Sequence, residues 1–415
     1  MAGLFDMAKR NWQIRNPPGV VTKTAEPLRF GILGAADIAP NALISPAKTH
    51  PDVVVYAVAA RDRGKAQSYA QKHGITEAKA TYQDVLDDPM IDCVYIPLPN
   101  GLHFEWALRA LQAGKHVLLE KPSVNNTEEA KMLFHHKLLS APKAPVLLEA
   151  AHYLFHPAWT KFMTLITPSE VESAKAVIWV PMWQLSTDDI RYRYDLGGGA
   201  LMDLGAYTAS ALVHIFGAVA EECEECVTEP GSFDARCDRL YRAKYIFPGG
   251  GRGEMEGDLS APLDRLSPDI HVSHRSVSVS PDVAGVQIPE GHEMYRTRKV
   301  KFGTFVQPAY MHSITVDDSY ELRLIGDTSG IVKSWTERQT IKAYTFRDTG
   351  AEQAGEPYWT TYRYMLEQFV DEVRGKTVKQ WVTAEDSMNT ARMLDMAYTR
   401  SGLGLRKTSE YRLKA

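Results

Sequence analysis

The stretch AGKHVLLEKP, residues 113–122, decides the fold of this chain. Its middle part, residues 116–119, is a short apolar run typical of a buried strand, and it follows a helical pattern that a glycine and a lysine close. Lys121 comes directly after this strand, with a proline behind it. Because the carboxyl ends of parallel strands form the floor of the ligand crevice in an open sheet, we predict that Lys121 acts on a ligand.

Apolar segments alternate with helical patterns on both sides of this stretch. Strands are predicted at residues 28–33, 53–60, 91–96, 116–119 and 146–150, and helices at residues 61–74, 82–86, 127–139 and between the third and fourth strands. This order indicates a doubly wound parallel sheet with right-handed crossovers. We therefore predict an α/β Rossmann domain over residues 28–150, preceded by an arm, residues 1–27, that packs on a neighbouring molecule or stays mobile.

The pattern changes after residue 150. Strands are predicted at residues 175–180, 240–247, 270–279, 293–302 and 320–325, and helices at residues 205–216, 362–374 and 385–401. Many of these strands alternate apolar with polar residues, as expected for a sheet that is covered on one face. The remaining residues, 151–415, are predicted to form an α+β domain with a large open, mostly antiparallel sheet. Two domains also suit a length of 415 residues.

Composition narrows the class of protein. Hydrophobic residues make up 44% of the chain, charged residues 24%, and the net charge is −4, which argues against nucleic acid or a membrane as the main partner. Four cysteines are few for this length, so we expect a reduced, cytoplasmic protein. Cys223 and Cys226 form a CxxC pair without a second pair, and we interpret them as incidental thiols on a strand rather than a metal site.

The sequence GILGAADIA, residues 31–39, stands at the first strand–helix turn. Its glycine permits a tight turn, and the small alanines let backbone amides approach a pyrophosphate. It departs from G-x-G-x-x-G because Ala36 and Ala39 replace two glycines. The position after a first strand nevertheless predicts dinucleotide binding. The expected contacts in this loop are Gly34, Ala35, Ala36, Asp37 and Ile38.

The end of the second predicted strand distinguishes the two dinucleotides. An NAD site places an acidic residue there to accept a hydrogen bond from the ribose 2′-hydroxyl, whereas this chain has Arg61. A guanidinium suits a 2′-phosphate, so we predict NADP, with NAD as the weaker candidate. Asp62 leaves two roles open, a ribose contact or a helix cap.

A second stretch that carries candidate catalytic residues is DLGGGALMDLGAYTASALVHIFG, residues 195–217. Its three consecutive glycines permit a tight loop or a close approach to a ligand. Asp203 and Tyr207 follow four residues apart, which places them on one face of a helix. Such a tyrosine can exchange a phenolic proton, and a nearby lysine would lower its pKa.

Taken together, these motifs, with PLPNGLH and HYLFHPAW, resemble the Gfo/Idh/MocA oxidoreductase family, and within it the dihydrodiol dehydrogenase and NADP-dependent D-xylose 1-dehydrogenase subgroup. The resemblance covers residues 28 to about 255 and 320–406. It implies that Lys121 meets substrate and nicotinamide, that Tyr207 is the acid/base, where other branches have histidine, and that Asp203 is a substrate or proton-relay residue. Further implied cofactor contacts are Pro99, Asn100, His103, Glu120 and Lys121. Implied pocket-wall residues are His156, Trp159, Arg191 and Arg193.

The predicted function is that of an NADP-dependent oxidoreductase that transfers a hydride between the nicotinamide and a secondary alcohol or hemiacetal carbon of a sugar or cyclic diol. One alternative is a biosynthetic ketone or imine reductase with a larger, less polar substrate, which the aromatic residues Trp179, Trp183 and Tyr192 favour. Another is a non-catalytic NADP(H) sensor. Residues 261–318 form an insertion that the family pattern does not explain.

The resemblance also implies self-assembly. The predicted strands between residues 175 and 325 carry apolar residues on what we take to be both faces, so we expect a homodimer or a larger even-numbered oligomer.

Overall fold

Six parallel strands form the first sheet of the protein. The structure is a computed structural model that describes residues 2–231, 233–262, 268–281, 287–326 and 330–413. The strands are β1 (Leu28–Leu33), β2 (Val53–Ala59), β3 (Glu77–Lys79), β4 (Cys93–Ile96), β5 (His116–Leu119) and β6 (Leu147–Glu149). Their order, β3-β2-β1-β4-β5-β6, is that of the doubly wound dinucleotide-binding fold, with its topological switch point between β1 and β4.

Helices connect these strands, and their ends follow from local side chains. The helices are α1 (Ala2–Arg15), α2 (Ser45–Lys48), α3 (Arg63–His73), α4 (Tyr82–Leu86), α5 (His103–Gln112), α6 (Thr127–Phe134) and α7 (Pro157–Met163), with a π-helical turn at Pro40–Ile44 ahead of α2. Asp62 caps α3 by accepting a hydrogen bond from the Lys65 amide at 2.6 Å, which settles its open role as that of a helix cap. Thr81 and Asp84 form a capping box on α4.

Nine strands form the second sheet. They are β7 (Val171–Pro181), β8 (Glu222–Pro230), β9 (Asp238–Phe247), β10 (Gly251–Ala261), β11 (Asp269–His274), β12 (Val277–Ser278), β13 (His292–Gly303), β14 (Ser313–Leu324) and β15 (Ile331–Ile341). The order is β15-β14-β13-β11-β7-β10-β9-β8, and β12 pairs with β13. Among the described strands of this sheet only β7 and β10 run parallel, so the predicted fold, a Rossmann sheet followed by a mostly antiparallel one, is confirmed.

The helices of this second half are α8 (Ala200–Asp203), α9 (Gly205–Phe216), α10 (Thr361–Val373) and α11 (Ala384–Ser401). The α9 helix packs on β7 and β10, and α11 packs on α9, β8 and α6, so α11 lies between the second sheet and a helix of the first half. Phe30 of β1 contacts Phe369 of α10, with ring centroids 5.9 Å apart. One hydrophobic core therefore continues from the first sheet into the second.

The other face of the second sheet carries ion pairs among its apolar residues. Lys175 binds Glu256 at 2.6 Å across β7 and β10, and Arg338 binds Asp317 at 2.6 Å across β14 and β15. Val177 and Trp179 of β7 share this face with Lys175, so apolar residues occur on both faces of the sheet, with charged pairs between them on the outer one. The even-numbered oligomer stays a prediction, which a light-scattering mass of a single 46.4-kDa chain would contradict.

Part of the N-terminal arm packs on its own chain, which corrects the expectation of a mobile arm, while packing on a neighbouring molecule stays a prediction. The buried Arg10 donates hydrogen bonds to the backbone carbonyls of Ala309 and Pro357 and lies 4.1 Å from the Tyr344 ring centroid. Farther along, the ammonium of Lys23 donates to the Ala47 carbonyl at 2.6 Å. A cation buried against carbonyls and an aromatic face has satisfied partners, so Arg10 anchors this part of the arm to its own chain.

Three of the described strands have no counterpart in the sequence prediction. The edge strand β3 has no apolar run, β10 begins in a glycine-rich segment, and β15 is exposed along most of its length. The unexplained insertion, residues 261–318, contributes β11, β12, β13 and the first half of β14 to the second sheet. Residues 263–267 and 282–286 of this insertion lie outside the described residues.

No single helix in the described ranges has both the length and the apolar composition of a membrane span. Only the bent pair of helical segments Tyr194–Asp203 and Gly205–Phe216, which meet at 44°, reaches that composition together.

Candidate active site

A buried ion pair joins the two halves of the chain at the carboxyl edge of the first sheet. The Lys121 ammonium, on the loop after β5, donates to Asp203 Oδ1 at 2.6 Å and to the Asp203 backbone oxygen at 2.8 Å. The second carboxylate oxygen of Asp203 accepts from Arg191 Nε at 2.9 Å. Burial alone would raise the pKa of Asp203, but Lys121 and Arg191 hold that pKa well below its usual range. Asp203 is therefore an anion between two cations.

Tyr207 lies beside this ion pair. Its ring centroid is 4.6 Å from Lys121 Nζ, and its hydroxyl lies 3.0 Å from Nε2 of the buried His152. Asp203 and Tyr207 do not share a continuous helix, since α8 ends at Asp203 and α9 begins two residues later at a 44° bend. The bend still leaves both residues in contact with Lys121.

Burial raises the pKa of Tyr207 well above its ordinary value, with Tyr362, Glu120 and Asp203 adding to the effect. The expectation that Lys121 would lower this pKa is therefore wrong. The charge of Lys121 is paired with Asp203, and the ammonium lies over the ring rather than at the phenolic oxygen. The Tyr207 side chain is a protonated phenol at neutral pH, suited to donate a proton rather than to take one up.

Two buried carboxyl groups hold the Lys121 loop in place. Glu120 Oε1 accepts from the Tyr95 hydroxyl at 2.6 Å and Oε2 from the Lys121 amide at 3.3 Å, while Glu149 at the end of β6 accepts from the Ser123 amide at 2.8 Å. Burial raises the pKa of both carboxyls. The side chain of Glu120 is thus turned toward protein atoms, and its predicted cofactor contact is untested.

The glycine run serves close approaches within the protein. A side chain at Gly198 would lie 2.6 Å from the Arg191 backbone oxygen, and one at Gly199, with φ of +130°, would lie 2.4 Å from Asp238 Oδ1. Asp238 in turn accepts from the Leu201 amide at the start of α8. The glycines therefore let the Arg191 segment and β9 converge on the helix that carries Asp203.

The loop after β1 forms the other edge of the crevice. Gly34 has φ of +112° and donates its amide to the Ala59 carbonyl at 2.8 Å, and a side chain there would lie 3.1 Å from Leu98. Asp37 and Ile38 are exposed on this loop. The predicted glycine–alanine turn therefore lies at the switch point, where dinucleotides bind in this fold.

Comparison with known proteins identifies the family. Residues 28–137 match the family model GFO_IDH_MocA, described as an oxidoreductase family with an NAD-binding Rossmann fold. The chain is 34% identical over 253 residues to an uncharacterized oxidoreductase, ORF334, of Rhizobium meliloti, a match that covers 61% of this chain and 74% of that protein. The chain belongs to the Gfo/Idh/MocA oxidoreductase family.

Two named relatives match shorter regions. The dTDP-3,4-didehydro-2,6-dideoxy-alpha-D-glucose 3-reductase of Streptomyces antibioticus is 39% identical over 193 residues, 46% of this chain and 57% of that protein. The D-xylose 1-dehydrogenase (NADP(+)) 2 of Haloferax volcanii is 38% identical over 186 residues, 44% of this chain and 56% of that protein. The chain thus spans little more than half of these two relatives, and the predicted likeness to the xylose dehydrogenase subgroup is confirmed.

A solved structure shares the fold of this Gfo/Idh/MocA protein. The 3-ketoreductase KijD10 from Actinomadura kijaniata, in complex with NADP and TDP-benzene, superimposes with a TM-score of 0.63 at 23% identity, covering 90% of this chain and 98% of that one. At this identity the match supports the order of the sheets and helices.

Two residues of the PLPNGLH loop hold protein segments together. Both ring nitrogens of the fully buried His103 lie 2.7 Å from backbone carbonyl oxygens, those of Leu98 and Pro122. The ring thus contacts protein through both nitrogens, and its contact with a cofactor stays a prediction. Asn100 donates to the Gly197 carbonyl at 3.0 Å and so ties this loop to the glycine run. Its contact with a cofactor, like that of Pro99, stays a prediction.

Three predicted pocket-wall residues lie outside the cluster. His156 and Trp159 are buried in the aromatic core, where His156 Nδ1 accepts from the Ala158 amide at the start of α7 and Trp159 packs on Tyr153. Arg193 is exposed and stacks over Phe233 at 5.3 Å. The structure thus brings none of these three residues to the ion pair of Lys121 and Asp203. Only Arg191 of that set reaches Asp203.

The aromatic residues behind the alternative function do not form one surface. Tyr192 is buried with its hydroxyl on the Leu259 carbonyl, whereas Trp183 is 62% exposed. Cys223 and Cys226 lie on β8, as the strand interpretation predicted. Within the described ranges we find no group of three or more histidine, cysteine, aspartate or glutamate residues placed to hold a metal ion.

Two cavities differ in size and surroundings. A small one, about 10 Å³, touches Lys121 and Tyr207 and extends toward Glu149 and Thr390. A larger one, about 350 Å³, lies between α5, α6 and the C-terminal segment. The smaller cavity is about the size of one water molecule, and of the cluster only Lys121 and Tyr207 line it. We therefore place the chemistry in the open crevice at the switch point rather than in either cavity.

Proposed function

We propose that this protein is an NADP-dependent oxidoreductase that interconverts an alcohol or hemiacetal with its carbonyl compound, on a sugar or cyclic diol. The observation that carries the proposal is the contact of Lys121 with both Asp203 and Tyr207 at the carboxyl edge of a Rossmann sheet. A bound nicotinamide would supply or accept the hydride, while the protein positions the substrate and handles the proton.

The residues at the crevice fit NADP. Asp62, the acidic residue next to the end of β2, is occupied as the cap of α3, so Arg61 is the exposed charge offered to a ribose substituent. A guanidinium favours a 2′-phosphate over a 2′-hydroxyl. The small Ala35 and Ala36 leave the backbone open to a pyrophosphate. The NADP(+) in the name of the Haloferax relative agrees with this assignment.

Tyr207 is the residue that exchanges a proton with the substrate oxygen in this proposal. In the reductive direction the phenol donates its proton to the substrate oxygen, and in the oxidative direction the phenolate takes it back. Lys121, held by Asp203, offers an ammonium to the same oxygen and stabilises the charge that develops there. Arg191 keeps Asp203 ionised, so that Lys121 remains oriented.

The cluster favours a hydroxyl-rich substrate. Lys121, Asp203 and Arg191 present charged hydrogen-bonding groups around one phenol, and a site built from such groups rejects analogues that lack the matching hydroxyls. The name of the Haloferax relative, a D-xylose 1-dehydrogenase, supports a sugar.

A second candidate is a reductase of sugar-nucleotide ketones. The name of the Streptomyces relative supports it, as does the loop ahead of Arg191, on which Met182, Trp183 and Ile190 are exposed. Exposed apolar side chains next to a cation suit a substrate that carries a nucleobase and phosphates.

A substrate panel tests both candidates. Free aldoses, cyclic diols and nucleotide-linked ketosugars are incubated with NADP⁺ or NADPH, and absorbance at the nicotinamide band is followed. We expect turnover with one of these classes and its loss in Tyr207→Phe, whereas Tyr153→Phe, a neighbouring buried phenol bonded to Ser210, keeps activity. NADPH binding without turnover of any class would favour the non-catalytic sensor.

A further inference from the structure

The buried histidine at the start of the HYLFHPAW stretch connects two hydroxyl groups. His152 is fully buried at the start of the 3₁₀ turn His152–Phe155. Its Nε2 lies 3.0 Å from the Tyr207 hydroxyl, and its Nδ1 lies 2.9 Å from Thr361 Oγ1 in the first turn of α10. The ring packs on Tyr362 with centroids 4.1 Å apart. The three side chains come from three separate elements, so the chain Thr361–His152–Tyr207 exists only in the folded protein.

The charge state of this histidine limits what it can do. Burial, and then the charge of Lys121, lower the pKa of His152 to about 3. The imidazole is therefore neutral at working pH, with one nitrogen as donor and the other as acceptor. If Nε2 accepts, the phenolic proton of Tyr207 points at His152 and away from the crevice. If Nε2 donates, Tyr207 keeps its own proton free for a substrate.

We propose that His152 is a positioning residue whose Nε2–H donates to the Tyr207 oxygen, directs the phenolic proton toward the substrate and stabilises the phenolate left by its transfer. Thr361 fixes this tautomer by donating its hydroxyl proton to Nδ1. His152 keeps its proton throughout, so the proton that reaches the substrate oxygen comes from Tyr207 alone. The inference rests on the proposed function, in which Tyr207 is the proton donor.

The hydrogen bond from His152 stabilises a charge that the rest of the cluster disfavours. A phenolate buried near carboxylates is unfavourable, and Lys121 is engaged by Asp203. A donated hydrogen bond to a developing charge is stronger than one between neutral groups. The charged and titratable groups that face Tyr207 and His152 are Lys121, Glu120, Asp203, Arg191 and Tyr362. The Nε2–H is a donor in direct contact with the phenolic oxygen.

Nitrogen NMR of the full-length protein, labelled with ¹⁵N-histidine, reads the tautomer without any substrate. We expect the His152 signal, identified by its loss in His152→Phe, to show a neutral ring protonated at Nε2 from pH 5 to pH 9. Tyr207→Phe should move the Nε2 shift. A ring protonated at Nδ1 or an imidazolium would overturn the inference, as would an Nε2 shift that Tyr207→Phe leaves in place.

Kinetics test the consequence. His152→Phe keeps a ring of similar size against Tyr362 but removes both hydrogen bonds. We expect kcat to fall about 10- to 100-fold, the factor for losing a hydrogen bond to a charged group, with an unchanged Kd for NADPH. The kinetic pKa of the proton-transfer step should rise. His152→Gln, which retains an amide donor, should restore part of kcat and part of the kinetic pKa. His156→Phe, which replaces another buried histidine of the same segment, should change neither kcat nor this pKa.

The outcomes separate this inference from the proposed function. Full activity in Tyr207→Phe would remove Tyr207 as the proton donor and so refute the proposed function, while the nitrogen shifts would still report the contact. Loss of activity in Tyr207→Phe together with an unmoved pH profile in His152→Phe would refute only the role of His152. Should His152→Phe fail to fold, His152→Gln and the NMR of the wild type decide the question.

Discussion

The two edges of one crevice differ in how their side chains are held. On the catalytic edge, Lys121, Asp203, Tyr207 and His152 are largely buried, and each is bonded to another member of the group. On the cofactor edge, Asp37, Ile38 and Arg61 face solvent, and we find no ion pair to Arg61 within the described ranges.

Because of this difference, we expect substitutions on the catalytic edge to change the reaction rate and substitutions on the cofactor edge to change cofactor selectivity. Buried groups with mutual partners are preorganised, and removing one leaves the others unsatisfied, so rate and stability change together. An exposed residue meets its partner only when a ligand arrives, so its removal alters binding and leaves the fold intact. The following predictions, in order of expected effect, test this separation.

The catalytic edge should show its largest effect at Tyr207. We expect Tyr207→Phe to lower kcat about 10²- to 10⁴-fold, the usual contribution of general acid–base catalysis, without changing the Kd for NADPH. Steady-state rates with an active substrate and fluorescence titration of NADPH measure the two quantities. Near wild-type kcat would assign the proton to another residue, such as Asp203.

Asp203 should link stability with rate. Asp203→Asn leaves the largely buried Lys121 and the partly exposed Arg191 without their carboxylate, and breaking a buried pair such as Lys121–Asp203 costs about 3–5 kcal/mol of the free energy of unfolding. Urea denaturation measures this loss. Asp317→Asn is the matched control on the open face of the second sheet, where its partner Arg338 is largely exposed and the expected cost is below about 1 kcal/mol. Equal costs would show that the catalytic cluster is not a buried network.

Buried neutral histidines should make the protein acid-sensitive. Burial lowers the pKa of His312 to about 4, while an unfolded histidine titrates near 6.5. The unfolded state therefore binds more protons below pH 6.5, and stability is lost as pH falls from 6.5 toward 4. For His312 the loss from pH 7 to pH 5 is about 2 kcal/mol. His312→Gln should flatten the slope of unfolding free energy against pH, whereas His135→Gln, at an exposed position, should leave it unchanged.

The cofactor edge should show a smaller and purely selective effect. Charged hydrogen bonds contribute about 1.5–3 kcal/mol, so we expect NADP(H) to bind at least about tenfold more tightly than NAD(H). Arg61→Ala should remove most of this preference with no change in the free energy of unfolding. Arg63→Ala, two residues farther along at the start of α3, is the control. Equal affinity of the wild-type protein for the two dinucleotides would contradict the assignment.

Local sequence patterns predicted the framework of both edges. The strand at residues 116–119 and the helix at residues 205–216 have the bounds that the patterns predicted. Each is marked by neighbouring residues alone, the strand by a short apolar run ahead of Lys121 and the helix by an apolar segment ahead of Gly217. The edge strand β3 and the exposed β15 lack such signals, since their pairing depends on neighbours distant in the chain.

The sequence by itself determined the alternation of strands and helices, the glycine turn after β1, the lysine at a strand end and the spacing of Asp203 and Tyr207. Only the tertiary structure decided which of two histidines in HYLFHPAW faces the active site, since His152 reaches Tyr207 while His156 caps a helix. It also decided the sign of the Tyr207 pKa shift. Burial and ion pairing are properties of side chains that meet across 55 or 82 residues of chain, and no local pattern encodes those distances.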